Sequence, residues 1–203
     1  MIINKAQKMM ISLLFIMAFF SSLLLVEIND QSATARIDGT TDISAVATSL
    51  YLKLTGETQG DIDGGVTRAQ YENWIEILSY SHSIKTPYDP TTGLPTGKRQ
   101  HSPFRVTKSL DVATPILFGV LSNNEILINF EFHILAPSTT GQEVHLFTIE
   151  LQNARIVSYQ TSGSTAFDGN LLTETISFVY TKITWTWMES GITAEDDWYV
   201  SPV

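Results

Sequence analysis

Over much of the chain from residue 48 to residue 190, apolar and polar side chains alternate with a period of two, the pattern of strands that bury one face. Ser49 to Leu54 (SLYLKL) alternates in this way, and Trp74 to Ile84 is rich in β-branched and aromatic residues. In Glu125 to Leu135 (EILINFEFHIL), Ile126, Ile128, Phe130, Phe132 and Ile134 share one face, with Asn129, Glu131 and His133 on the other. Further strands are predicted at Val144 to Leu151, Arg155 to Gln160 and Leu172 to Met188. The last changes its apolar parity midway, from Ile176, Phe178 and Tyr180 to Ile183, Trp185 and Trp187. One flat strand cannot bury both sets on one side, so the segment needs a bulge or a passage from one sheet into a second. The pattern predicts a mainly β domain, closed or of two sheets.

One helix interrupts the strands. Thr114 is suited to cap it, and Pro115 suits the first helical position, where a missing N–H is harmless. Ile116-Leu117-Phe118-Gly119-Val120-Leu121 follows, and Asn123-Asn124 is expected to end it. Two long connections stand out. Thr55 to Glu72 contains Gly56, Gly60 and the pair Gly64-Gly65; Thr86 to Ser102 contains Pro87, Pro90, Pro95, Gly93 and Gly97 with Tyr88, Lys98, Arg99 and His101. Long loops in compact domains are commonly functional, which makes the second a candidate contact surface.

The first 35 residues follow a different rule. Lys5 and Lys8 precede an apolar run from Met9 to Val26, and Ser32-Ala33-Thr34-Ala35 places small residues where a signal peptidase needs them. Residues 1–35 are expected to be a secretory leader cut after Ala35, with Ala33 and Ala35 as the recognition positions. The alternative is an uncleaved anchor through residues 9–26, since roughly 20 apolar residues span a bilayer. In both cases the rest is exported, to the periplasm or the outside of the cell. Residues 36–47, small and polar, read as a linker; 48–190 is the folded domain, and 191–203, with Glu195-Asp196-Asp197, reads as a solvated acidic tail.

With 43% hydrophobic and 16% charged residues, the chain has enough apolar material for one core. Its formal net charge is −9. The leader removes two charges of each sign (Lys5, Lys8, Glu27, Asp30), so the mature chain keeps that value. An acidic surface whose longest basic run is Lys98-Arg99 argues against nucleic acid as a partner. The absence of cysteine excludes disulfides, thiolate catalysis and thiolate metal sites. His82, His101, His133 and His145 fall on separate elements without the spacing of a helical zinc motif, and His133 reads as solvated on a polar strand face. Asp61-Ile62-Asp63-Gly64 begins like a calcium loop but lacks the later ligands. No strand-to-helix nucleophile turn is present; Thr161-Ser162-Gly163-Ser164 reads as a turn. Trp185 and Trp187 read as core or interface residues, and Trp198 and Tyr199 as possible contacts. Neither an enzyme nor a cofactor is expected.

Four segments, in order, resemble the Hcp family of type VI secretion systems: YLKLTGETQGDI from Tyr51, WIEILSYS from Trp74 to Ser81, FRVTKSLDVATP from Phe104 to Pro115, and Leu172 to Trp187 (LTETISFVYTKITWTW). The likeness covers about residues 49 to 188. It implies a small two-sheet β-barrel with one short α-helix that assembles into hexameric rings. In the family these stack into a hollow tube that carries effector cargo in its lumen and works with a sheath and spike proteins. Thr86 to Ser102 would be the extended loop that meets neighbouring subunits, with Tyr88, Lys98, Arg99 and His101 as interface residues; Lys98 and Arg99 would meet acidic groups on a partner. Ser79, Ser81 and Ser83 share one face of the Trp74 strand, consistent with a lumen lining or with a plain solvent face. The leader departs from the family, whose tubes form in the cytoplasm. An exported binding module that recognises a glycan or surface protein is the alternative; an effector enzyme is a distant third, with only about fifteen residues after the last predicted strand.

Overall fold

The computed structural model describes residues 48–138, 142–164 and 171–198. The leader with Ala33 and Ala35, the linker and Tyr199 lie outside the described residues. Thirteen strands and one helix are assigned within them. In chain order the strands are β1 (Ser49–Gly56), β2 (Gly60–Ile62), β3 (Ile75–Ile77), β4 (Ser79–Ser81), β5 (Ile84–Lys85), β6 (Gln100–His101) and β7 (Phe104–Ser109). Helix α1 (Thr114–Ser122) comes next, then β8 (Leu127–Pro137), β9 (Glu143–Gln152), β10 (Arg155–Ser164), β11 (Leu171–Val179), β12 (Lys182–Trp187) and β13 (Ile192–Asp197).

The strands make a seven-stranded sheet, ordered β13-β12-β9-β8-β1-β2 with β3 also on β1, and a four-stranded sheet, ordered β10-β11-β7-β4. A two-stranded ribbon, β5-β6, stands apart. Every pairing is antiparallel. This is the mainly β, two-sheet architecture with a single helix that the sequence predicts.

The sheets share one core. Leu52 and Leu54 (β1), Ile75 (β3), Phe130 and Phe132 (β8) and Ile149 (β9) from the larger sheet pack with Phe104 and Val106 (β7), Ile156 (β10) and Ile176 and Phe178 (β11) from the smaller. Phe130 bridges them edge-on, 5.5 Å from Phe104 and 5.0 Å from Phe178 between centroids. Between β11 and β12 the chain leaves the four-stranded sheet and enters the seven-stranded one. That crossing is the reason for the parity change: Ile176 and Phe178 on one side of it and Ile183 on the other all reach the same core.

Sequence and structure part at several points. Ile128 is 63% exposed. The register steps from Thr55↔Asn129 to Gly56↔Leu127, so Ile128 is the extra residue of a bulge and Leu127 takes the inward place. Thr114 is the first residue of α1 rather than its cap; the cap position is Ala113, without a side-chain hydrogen bond. The Ala113 N–H instead donates to Asp111 Oδ1 at 2.9 Å. The C-terminal end follows expectation, with Asn123 as cap and Asn124 at φ 50°. The stretch read as an acidic tail contains β13, paired with β12 from Lys182↔Asp197 to Trp187↔Ile192.

The connection from Thr55 to Glu72 is built rather than slack. After β2 it turns back over the outer face of the seven-stranded sheet, where Tyr71 buries with Tyr51 and Leu135 against Val66 and Trp74. Gly64 permits this: a Cβ there would collide with the Trp74 carbonyl, whose strand-end backbone the glycine touches. The cover also explains His133, which is 8% exposed and not solvated.

Candidate functional site

The four-stranded sheet turns one face to the core and the other outward. Its registers place Ser81, Arg105, Ser177 and Ser158 in one rung and Ser79, Thr107, Thr175 and Gln160 in the next. Residues directly opposite in a sheet share a face. In these two rungs the outward face is hydroxyl and amide apart from Arg105, with Thr107 and Thr175 bonded at 3.2 Å and Arg105 Nε donating to Ser177 Oγ at 3.4 Å; the end of the face adds Arg155 opposite Val179, and Val157 at the bulge. Ser79 and Ser81 are exposed here, as the period-two reading expects. Ser83 is exposed too but lies beyond β4: its N–H donates to Ser102 Oγ at 2.9 Å, at the foot of the next loop.

That loop, Thr86 to Ser102, is a shaped hairpin. The β5-β6 ribbon forms its base through Ile84↔His101 and Lys85↔Gln100, and a bridge joins Tyr88 to Pro95. At its turn Asp89 accepts from the Thr91 N–H at 2.8 Å and the Thr92 hydroxyl at 3.1 Å, bonds that hold its carboxyl below the usual carboxylate range. Gly93 supplies the positive φ of 71° that closes the turn. Tyr88 and Leu94 are each 65% exposed, so the arm presents apolar side chains outward. Lys98 is exposed on the returning limb.

Arg99 and His101 point the other way. The acidic group that meets Arg99 is Asp196 of its own β13, bonded through Nε and Nη2, with a further bond from Nη2 to the Asp197 carbonyl at 2.8 Å. His101, its side chain 3% exposed, bonds Asp196 Oδ2 through Nε2 at 2.6 Å and the Tyr180 hydroxyl through Nδ1 at 2.7 Å. The same hydroxyl lies 2.6 Å from His82 Nε2. A carboxylate accepts only, so His101 Nε2 carries a proton; the Tyr180 hydroxyl lies between His101 Nδ1 and His82 Nε2, donating to one ring and accepting from the other. Burial works to raise the Asp196 carboxyl, and the bonds from Arg99 and His101 outweigh it, leaving it below the ordinary range. Burial, then the neighbouring His101, lowers His82; burial, then Asp196, raises Tyr180. The network clamps the base of the arm to the sheet, and a recess of ≈ 280 Å³ lined by His101, Tyr180 and Trp198 opens above it.

The family model for "Type VI secretion system effector, Hcp" matches residues 51–187. The chain belongs to the Hcp family. It is 33% identical over 174 residues, covering 78% of the chain and 99% of the relative, to the "Major exported protein" of Pseudomonas aeruginosa. Among solved structures it is similar to a crystal structure of an Hcp protein (TM-score 0.70, 30% identity, 75% of this chain and 100% of that one). It is also similar to Hcp1 of the E. coli EAEC 042 pathovar (TM-score 0.67, 31%, 75% and 100%) and to the secreted protein Hcp3 of Pseudomonas aeruginosa (TM-score 0.63, 28%, 76% and 100%).

Two polar clusters of this Hcp chain escape a reading by sequence position. Lys108 and Glu174, both side chains fully buried, pair at 2.5 Å between β7 and β11. Lys108 Nζ also donates to Asp111 Oδ1 at 2.7 Å and to the Ser109 carbonyl at 2.9 Å, while the Thr114 hydroxyl reaches both Glu174 oxygens at 3.1 Å. Burial, reinforced by Glu174, raises the nearby Tyr159 phenol. The signal was available: Lys108 continues the inward parity of Phe104 and Val106, and Glu174 that of Ile176 and Phe178. The second cluster pairs two histidines from different strands. His133 and His145 stack at 3.8 Å, with Glu131 on His133 Nε2 at 2.6 Å and Thr148 on His145 Nε2 at 2.9 Å. Burial, then His133, lowers His145, and the His133 bond depresses Glu131. Among the described residues no group of three or more His, Asp or Glu side chains is arranged to hold a metal ion.

Proposed function

We propose that this protein is a structural subunit that assembles into hexameric rings, which stack into a hollow tube able to carry effector cargo. The supporting observation is the outward face of the four-stranded sheet, whose central rungs carry small hydroxyl side chains, Ser79 and Ser81 among them, around Arg105. A strand face that met only bulk water would tolerate charged residues throughout; a wall that must let a passenger slide is better made of small side chains with few charges. On this reading that face lines the lumen, with Ser83 at its rim. The arm Thr86 to Ser102 reaches a neighbouring subunit or ring, engaging it through Tyr88 and Lys98, and Arg99 and His101 fix its angle from below. Closed ring symmetry would supply the stability that a cysteine-free exported domain lacks. The partners are further copies of the chain, effector cargo and spike proteins of a secretion machine; catalysis has no part in it. Residues 1–35 serve as an export leader cut after Ala35, and the protein acts outside the cytoplasm.

Mass measurement of the purified protein in solution tests this reading. Particles of six subunits, and longer stacks at high concentration, are expected. A strict monomer at high concentration would overturn assembly and favour a binding module that recognises a glycan or surface protein, for which Trp198 beside His101 (5.1 Å between centroids) would be the contact. N-terminal sequencing of exported protein tests the leader: a first residue of Arg36 is expected, and an intact Met1 refutes cleavage.

A further inference from the structure

Arg105 stands in the middle of a face whose other cation, Arg155, sits at the end rung opposite Val179 and donates to the Asn124 carbonyl, whereas the charge of Arg105 is left open. Four cations of the described residues are spent on carboxylates within the fold: Arg68 on Glu143, Arg99 on Asp196, Lys108 on Glu174 and Lys182 on Glu195; Lys53 lies over the Trp74 ring, Arg155 donates to the Asn124 carbonyl, and Lys85 and Lys98 belong to the exposed arm. Among the described residues Arg105 enters no such pair. It is exposed, and the single bond it makes, from Nε to Ser177 Oγ at 3.4 Å, is long and orients the guanidinium along the rung without neutralising it. Its flanking positions in the rung, Ser81 and Ser177, donate or accept with equal ease and so select no charge.

From this we infer that the face recognises carboxylate-rich protein surfaces, with Arg105 as the residue that chooses them. The inference rests on the reading of this face as the lumen wall. Six-fold symmetry then repeats Arg105 at one height around the channel, a band of six guanidiniums on a chain whose net charge is −9. A guanidinium offers a carboxylate two parallel donors, and a channel with low-dielectric walls concentrates the field of such a band. The hydroxyls above and below exchange hydrogen bonds with whatever polar surface passes. Isolated cations, one open guanidinium to a subunit, match scattered carboxylates on a folded passenger. A phosphodiester chain would instead need a continuous basic track; the neighbouring rung on one side (Ser79, Thr107) has no cation, and on the other Arg155 is turned to the Asn124 carbonyl.

The test uses the full-length protein and its Arg105→Gln and Arg105→Lys variants, with fluorescent poly-glutamate as probe and poly-lysine and a single-stranded oligonucleotide as controls. Particle size and retained probe are read in the same sizing run, at low salt and at high salt. Wild-type particles are expected to retain poly-glutamate and not poly-lysine, Arg105→Lys to retain it in part, and Arg105→Gln to lose it about tenfold, the product of a few exposed contacts each worth a factor of up to about five. Retention should fall with salt. Intact particles that hold poly-glutamate equally well with Gln at 105, or that hold poly-lysine or the oligonucleotide as well as poly-glutamate, overturn the inference while leaving the tube. A wild-type protein that forms no particles overturns both.

Discussion

Replacing Lys108 with methionine should destabilise the domain severely, and the structure allows the size to be worked out. Lys108 and Glu174 are both fully removed from solvent and 2.5 Å apart. Methionine fills nearly the same volume, so the packing loss is small and the main effect is electrostatic. Glu174 would be left in the core without a cation, with the Thr114 hydroxyl and the neighbouring Tyr159 phenol as its polar contacts. Breaking one half of such a buried pair costs about 3–5 kcal/mol, whereas replacing both halves by apolar residues is often close to neutral. For a domain of this size 1 kcal/mol moves Tm by roughly 2–4 °C, so a fall of about 6–20 °C is expected. Thermal and urea melts at one fixed protein concentration are the assay, because assembly would couple stability to concentration. The double variant Lys108→Met, Glu174→Leu should regain most of the loss, although Asp111 also loses its lysine bond; its side chain is partly exposed and can be rehydrated. A single variant within about 1 kcal/mol of the wild type would refute the claim that this pair is a desolvated, mutually dependent unit.

Asp196→Asn should free the arm without unfolding the body: amide hydrogen exchange across residues 86–102 is expected to quicken while that of Phe130 and Phe132 stays slow, and unchanged exchange in the arm would show that Asp196 does not clamp it. Stability should decline as pH is lowered from 7 to 5, because His82 and His145 hold pKa values below their unfolded ones and the unfolded chain therefore takes up more protons. The same sign governs Asp196, whose depressed carboxyl contributes stability above its unfolded pKa and loses it as pH falls through the folded value. Melting curves against pH check this, and a Tm that is flat or rises toward pH 5, or a His82→Gln variant with an undiminished slope, would count against the assignment.

What the sequence could and could not disclose follows the range of the interactions concerned. The crossing between the sheets was readable from Ile176 through Trp185 because strand parity is local, and the end of α1 at Asn123-Asn124 because capping is local. Ile128 was misplaced because a bulge shifts the parity of the residues before it against that of Phe130 and Phe132 after it, and nothing within β8 marks where it occurs. His133 was misread because the segment that covers it, Val66 to Trp74, returns from about sixty residues away, and Tyr71 meets His133 only in the folded state. The acidic stretch 192–197 has little apolar content to announce a strand; it is held by pairing with β12 and by Arg99, 97 residues distant in sequence.

These failures have a common form that turns into a rule for reading charges in this fold. Asp196 lies opposite Ile183, which is fully buried, and so stands on the inward side of β13. Lys108 and Glu174 also stand on inward parity. Each therefore needs a partner from its own chain, since an unpaired charge there would be expelled or would unfold the strand. The partners come from the irregular segments: the arm through Arg99 and His101, the start of α1 through Asp111 and Thr114. Inward charges thus mark where non-strand segments are fastened to the sheets. Arg105 has the opposite parity, between inward Phe104 and Val106, and finds no carboxylate among the described residues. Being exposed, it is hydrated and needs no partner to fold, which leaves it available to whatever faces the four-stranded sheet.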